Sequence, residues 1–302
     1  IIGYGTWGLS GKVYGKISKK KALNLLKHAY NKKINFFDTA SLYGNGYVEK
    51  LLGEAFTKKE KQKIIIATKI GMIRNEKNAF IPKFNFDTNF LQKNIFSSIK
   101  RLKVDSIDLL QIHSPKKNFL ESNKFHEVVD LLKRNKKDGN IKYYGISLQN
   151  PKEALFILKK NYGFNTIQIN FNLLDMRAFD DDIFDLAKKN NVSIITRTPM
   201  AMGMLKINKV DFHKKNDHRK RFNKEKLNKL HLASIQFSKE FNSQISLQAL
   251  ALKFATFDKN ISTTVTGMME TKEINFNIRS FQNNFSILKN LKKLKKIYNN
   301  FY

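Results

Sequence analysis

Eight short β-rich segments, each followed by a stretch with helical periodicity, predict one α/β domain, a (β/α)8 TIM barrel spanning residues 1–302. Two further observations point the same way. The strand candidates are continuous apolar runs rather than alternating ones, as a parallel sheet buried on both faces requires. No Pro-, Gly- or Ser-rich linker interrupts the chain, so no domain boundary is expected.

Ile1–Tyr4 opens the barrel and Ile34–Phe37 is the second strand. Between them Ala22, Leu25, Leu26 and Ala29 recur at helical spacing behind a candidate cap at Ser18. The stripe Val48, Leu51, Leu52 and Ala55 precedes the third strand, Ile64–Thr68. Leu91, Ile95, Ile99 and Leu102 make the helix before the fourth strand, Ile107–Ile112. After the fifth strand, Ile141–Ile146, Pro151 suits the first turn of a helix carrying Ala154, Leu155 and Leu158, where no amide donor is needed. Thr166–Asn170, Val192–Thr196 and Ile261–Thr266 complete the set. Extra helices near the C-terminus, around Leu227–Phe241 and Phe285–Tyr298, exceed the strict alternation. The irregular segment Lys206–Lys224 reads as an elaborated loop after the seventh strand.

Composition narrows the function classes. The longest apolar runs fall far short of the roughly 18–20 residues that span a bilayer, so no membrane association is expected. Zero cysteines exclude disulfides, thiolate metal sites and Cys nucleophiles, and are compatible with the cytoplasmic location expected for this chain. With 56 Lys+Arg against 25 Asp+Glu, the net charge is +31, which raises the question of a polyanion partner. The excess is mostly lysine, spread along the chain beside many Asn, Ile and Phe residues, the pattern of AT-rich codon usage. Nucleic-acid sites instead gather basic residues and stacking aromatics on one face. No specific nucleic-acid partner is therefore expected. The sequence starts at Ile1 rather than at a methionine, as expected of a chain lacking a short N-terminal piece.

"GYGTWG", residues 3–8, matches G-x-G-x-x-G. A dinucleotide-binding turn of that type also needs an acidic residue about 20 positions on, and the first acid in this chain is Asp38. These glycines are better placed in a loop at the barrel mouth, where Trp7 is a candidate pocket wall. In such a barrel the chemistry comes from the C-terminal ends of the strands. The second strand ends in Asp38, with Tyr43 in the loop beyond; the third ends in Lys69 and the fourth in His113. Ser147, Gln168 and Arg197 end the fifth, sixth and seventh. Converging groups of complementary type suggest proton donation from a phenol. A tyrosine titrates near 10, too high for efficient acid–base work at neutral pH. An adjacent ammonium favours the phenolate, so Lys69 is expected to lower the pKa of Tyr43, with Asp38 fixing the ammonium. His113 would orient a carbonyl oxygen towards Tyr43.

At this point the residues resemble the aldo-keto reductase superfamily over essentially the whole chain. "GYGTWG", "NFFDTASLYGNG", "ATKIG", "LQIHSP", "YYGIS", "IQINFNLLD", "RTPMAMGML" and "TGMMETKEINFN" each resemble a family block, in the family's order. The resemblance implies reduction of a small-molecule carbonyl by NADPH or NADH, with Asp38, Tyr43, Lys69 and His113 as the catalytic tetrad. It implies a cofactor extended across the barrel mouth, near Gly5, Thr6 and Trp7. Ser147 and Gln168 match the positions that hold the nicotinamide carboxamide, and Arg197 the one that stacks on the ring. Thr198, Met200 and Gly203 match the pyrophosphate loop; Gly267, Met268, Met269, Glu273 and Asn277 match the adenosine end. Departures are visible. Leu148 stands where many members carry an Asn beside the carboxamide. Met269 and Glu273 replace residues that are often basic near the 2′-phosphate. The N-terminal hairpin that usually caps the barrel bottom is not in this sequence.

The alternative class is a reductase-like scaffold that binds cofactor as a regulatory subunit, as channel-associated relatives do. The complete tetrad favours an enzyme. The chain is expected to act as a monomer or homo-oligomer. Pocket loops set the substrate, and Trp7, the Met72–Phe86 loop and Lys206–Lys224 are the segments expected to do so. Within the last, "DHRKR" at Asp217–Arg221 is a candidate for steering an anionic substrate.

Overall fold

The computed structural model describes residues 2–76, 81–180, 182–205, 219 and 222–302. Its core is a closed barrel of parallel strands: β1 (Ile2–Gly5), β2 (Phe36–Asp38), β3 (Ile65–Ile70), β4 (Ile107–His113), β5 (Ile141–Ser147), β6 (Thr166–Asn170), β7 (Ser193–Arg197) and β8 (Ile261–Gly267). Each strand pairs with its sequence neighbours, and β8 returns to β1 to close the ring. This is the predicted (β/α)8 barrel, with ends that differ from the sequence reading by a residue or two.

Register decides which side chains face the barrel axis. Residues paired across parallel strands share a face of the sheet. Asp38 pairs with Ala67, and Lys69, two residues on, pairs with Gln111. His113 pairs with Ser147, Ser147 with Gln168, and Asn170 with Arg197. The inward set therefore includes each strand-end residue nominated above. Below them Phe36, Ala67, Leu109, Ile195 and Val265 form a small apolar cluster that fills the barrel. The other face of each strand joins the larger core under the helices, with Ile66, Leu110, Ile146 and Ile194 all buried there.

The expected caps hold the helices. The Ser18 hydroxyl accepts from the Lys21 amide at the start of Lys19–Asn31. Asn150 and Glu153 form a capping box around Pro151 at the start of Pro151–Lys160. The helices Lys224–Phe241 and Ile287–Asn299 pack together as the extra C-terminal layer. In the loop after β3 the chain makes a two-stranded antiparallel ribbon, Met72–Ile73 with Lys83–Phe84. Behind it Phe86 stacks on Phe119 with ring centroids 3.9 Å apart. Most of the Lys206–Lys224 loop lies outside the described residues, as does the Asp217–Arg221 motif apart from Arg219.

Candidate active site

The end of β2 is braced from β1. The Thr6 amide and hydroxyl both donate to the Asp38 carbonyl, at 3.0 and 2.8 Å. That fixes the backbone and leaves the Asp38 carboxylate pointing along the axis. Lys69 reaches it from β3, with its ammonium 2.7 and 2.6 Å from the two carboxylate oxygens. The third Lys69 proton goes to the Thr39 carbonyl at 2.9 Å. Lys69 is 1% exposed and Asp38 4%, so this is a buried ion pair whose ammonium has every donor satisfied.

Tyr43 lies over this pair. Gly44, Asn45 and Gly46 all have positive φ, and this tight turn swings the chain from β2 into the helix Tyr47–Ala55. The turn sets the Tyr43 ring with its centroid 5.5 Å from the Lys69 ammonium. The His113 ring meets Tyr43 edge-on at 6.0 Å, and Trp7 lies tilted against it at 6.4 Å. Trp7 is half-buried, so it is a wall of the mouth rather than a core indole. Asp38, Tyr43, Lys69 and His113 thus come together as one cluster.

The electrostatics correct one expectation. Burial and the Asp38 carboxylate push the Tyr43 phenol above its ordinary value, and Arg197 opposes them. Lys69 spends its protons on Asp38 and Thr39 and meets Tyr43 at the ring face, so its charge acts on the phenol only through space. Burial lowers Lys69 below an ordinary lysine, with Asp38 pulling it back. Burial, with Lys69 and Arg197 nearby, pushes His113 well below its usual range and keeps the imidazole neutral near pH 7. The site therefore holds a protonated phenol and a neutral histidine, which are both hydrogen-bond donors.

A second group continues around the ring. The Ser147 hydroxyl donates to Gln168 Oε1 at 3.0 Å, and Gln168 Nε2 donates to Asp38 Oδ1 at 2.8 Å. Arg197 is tied by a 3.0 Å bond to the Leu148 carbonyl. Beyond Arg197 the backbone is twisted, with positive φ at Thr198, Ala201, Met202 and Gly203. The Ala201 and Gly203 amides bond back to the Thr198 and Met200 carbonyls, each at 2.8 Å, which holds the turn closed. Arg219 reaches this segment, with a 3.4 Å bond to the Met202 carbonyl and its guanidinium 5.5 Å from the Tyr14 ring centroid.

Several features suit a nicotinamide dinucleotide at this mouth. Arg197 Nε and His113 Nδ1 are buried without a hydrogen-bond partner. Gly5 and Gly267 pair across the β1–β8 seam, and a Cβ on Gly267 would meet nothing closer than the Gly5 carbonyl at 3.8 Å. The Glu273 carboxylate accepts from the Met269 amide at 2.6 Å and the Glu270 amide at 3.2 Å, capping the helix Thr271–Ser280. Its charge is committed to that cap, and Glu270 is itself paired with Lys21. Asn277 is buried on the inner face of the same helix. Met269 packs against Gly8, where a Cβ would lie 2.4 Å from its sulfur.

Sequence reasoning passed over one buried group. Glu49 is fully buried, accepting the Thr68 hydroxyl at 2.6 Å and Arg101 Nε at 2.7 Å. Gly46 and Gly53, on the same side of that helix, leave room for the Arg101 side chain and carbonyl respectively. This clamp locks the helix after Tyr43 to the residue before Lys69. Its signal was an acid set inside the apolar stripe Val48–Ala55. Among the described residues no group of three or more His, Asp or Glu gathers as a metal site, and no helix is long and apolar enough to cross a membrane.

Residues 1–299 match the sequence profile of the aldo/keto reductase family. An uncharacterized oxidoreductase of Bacillus subtilis, YqkF, is 27% identical over 264 residues, 87% of this chain and 82% of its own length. The L-galactose dehydrogenase of Arabidopsis thaliana is 25% identical over 282 residues, 92% of this chain and 82% of its own length. Among solved structures, a glycerol dehydrogenase from Gluconobacter oxydans superposes with a TM-score of 0.79 at 25% identity, covering 99% of this chain and 91% of that one.

Proposed function

Because the chain belongs to the aldo/keto reductase family, and is thus an NAD(P)H-dependent carbonyl-reducing oxidoreductase, we propose that Tyr43 protonates the oxygen of an aldehyde, ketone or sugar substrate. A bound nicotinamide dinucleotide supplies the hydride that reduces the carbonyl carbon. Ser147 and Gln168 would hold its carboxamide, Arg197 its ring, and the twisted segment Thr198–Gly203 its pyrophosphate.

The observation that carries this reading is the saturated Lys69 ammonium beneath the Tyr43 ring, with His113 edge-on beside it. Tyr43 starts protonated, as an acid must. His113, neutral, donates an N–H to the carbonyl oxygen and orients it towards the phenol. As the proton leaves, charge develops on the Tyr43 oxygen. The Lys69 and Arg197 cations stabilise that charge in a dry site, where such effects exceed their worth in water. Asp38 keeps the buried ammonium charged and in place. The products are the alcohol and the oxidised cofactor. Trp7 and Tyr14 wall the mouth, which supports a small substrate with an apolar flank.

The test is a panel of aldehydes, ketones and sugars followed by nicotinamide absorbance, repeated with Tyr43→Phe. That variant keeps the ring and removes the proton, so kcat should fall about 10²–10⁴-fold, the worth of a general acid, while cofactor binding persists. A wild-type rate in Tyr43→Phe rules out the mechanism. Cofactor binding without reduction of any carbonyl would instead favour the scaffold reading.

A further inference from the structure

The loop that carries Tyr43 is tied to β3 on both sides of the phenol. Before Tyr43, the Ser41 amide and hydroxyl both donate to the Lys69 carbonyl, at 3.1 and 3.0 Å. Beyond it, Glu49 accepts the Thr68 hydroxyl at 2.6 Å. Thr68 and Lys69 are neighbours on β3, so the two ties grip consecutive residues of the strand that supplies the ammonium. Arg101 completes the far tie. Its Nε donates to the second Glu49 oxygen at 2.7 Å, and its Nη2 to the buried Ser98 hydroxyl at 3.1 Å. Its stem lies against Gly46, whose φ is +84° and where a Cβ would come 2.7 Å from Arg101 Cδ. The turn below Tyr43 therefore rests on the same side chain that holds Glu49.

We propose that Glu49, through Thr68 and Arg101, is a positioning residue for proton transfer, setting the height of the Tyr43 ring over the Lys69 ammonium. This rests on the reading of Tyr43 as the acid. A buried ion pair adds little stability over apolar side chains of similar volume, whereas its hydrogen bonds accept only one geometry. Here that geometry spans the helix after Tyr43 and the residue before Lys69. Glu49 is joined to Tyr43 by a short path. The Val48 amide donates to the Tyr43 carbonyl at 3.3 Å, and the Tyr43 amide to the Ala40 carbonyl at 3.0 Å. Gly44 and Gly46 bring no side chain to hold the turn, so its support comes from the clamp beneath. Displacing a reacting group by about 1 Å can cost on the order of 10²-fold in rate. The cofactor groups Ser147, Gln168 and Arg197 stand on β5, β6 and β7 and make no bond to the clamp. Loosening it should therefore lower kcat and leave cofactor affinity alone.

The test separates the Thr68 hydroxyl from its shape. Thr68→Val keeps the branched side chain and removes the bond to Glu49; Thr68→Ser keeps the bond and removes a methyl group. Thr68→Val should lower kcat by about 10–100-fold with the Kd for NADPH unchanged, and Thr68→Ser by no more than about threefold. A packing role predicts the reverse order, because serine leaves the void. In the Tyr43→Phe background Thr68→Val should cost less than about twofold more, since no phenol remains to be placed. Hydrogen–deuterium exchange of the cofactor-free protein reads the same clamp without turnover. Amides of residues 43–48 should exchange faster in Thr68→Val than in Thr68→Ser, while the helix Pro151–Lys160 stays unchanged. Should the valine variant not fold, Arg101→Lys keeps the charge and loses the fork, and it should show the same kcat loss and the same cycle. A wild-type kcat in Thr68→Val, a serine variant as impaired as valine, or a full penalty persisting beside Tyr43→Phe overturns the positioning role alone. An unimpaired Tyr43→Phe overturns the acid reading and this inference with it.

Discussion

Asp38→Asn would separate the charge of the tetrad from its shape. The substitution is nearly isosteric, but it leaves a 1% exposed ammonium facing a neutral amide, with the Gln168 donor aimed at the same group. Removing one partner of a buried ion pair costs about 3–5 kcal/mol. Unfolding entropy of about 2.1 cal/mol/K per residue gives roughly 0.6 kcal/mol per degree for a chain of 302 residues. The expected fall in Tm at pH 7 is thus about 5–8 °C. The deficit has a sign in pH. Without Asp38 the folded pKa of Lys69 drops further below its unfolded value near 10.4. Between those two values the unfolded chain binds more protons, so the stability of the variant rises with pH and the gap to wild type narrows above neutrality. Differential scanning calorimetry from pH 7 to 9.5 reads this directly. Lys69→Met in the Asp38→Asn background should recover part of the loss, because the orphaned charge is gone. A Tm within 1 °C of wild type, or a gap that stays constant with pH, would refute the charged pair.

Further expectations concern His113 and the cofactor. Its folded pKa lies well below the unfolded value near 6.5, so the unfolded state binds the extra proton as pH falls through that window. Stability should decline by up to about 1.4 kcal/mol per pH unit below pH 6.5. His113→Asn should remove that component from urea-denaturation curves, and identical acid limbs would disprove it. For the cofactor, Glu273 is committed to its helix cap and Met269 carries no charge, so no strong 2′-phosphate clamp is expected there. The preference in kcat/KM between NADPH and NADH should stay below about a hundredfold, or ~2.7 kcal/mol. A thousandfold preference for NADPH at fixed ionic strength would contradict this.

The barrel and the inward strand ends were legible because apolar runs have a fixed period and polar residues at their ends stand out. Asp38, Lys69 and His113 could be nominated on that ground. Other links depend on three-dimensional register. That Gln168 on β6 reaches Asp38 on β2 follows from how the barrel closes, and no spacing along the chain carries it. Thr39 serves through its carbonyl, which is invisible in residue type. The raised phenol of Tyr43 reflects its burial and the nearby Asp38 carboxylate, and composition cannot state a direction for it. That Glu273 caps a helix was not legible either, because the role depends on which amides start the helix.

Barrel closure has a consequence during synthesis. Ile2 pairs with Thr264 and Gly5 with Gly267, so one edge of β1 stays without its partner until nearly the whole chain has been made. At about 5–20 residues per second, translation takes roughly 13–50 s to cover the intervening residues. Through that interval the nascent chain presents an unpaired parallel edge at each end of a growing sheet, which is a template for mispairing. Net charge of +31 repels neighbouring copies during the wait. If that repulsion matters, refolding yield should fall as added salt screens it, with no parallel change in catalysis.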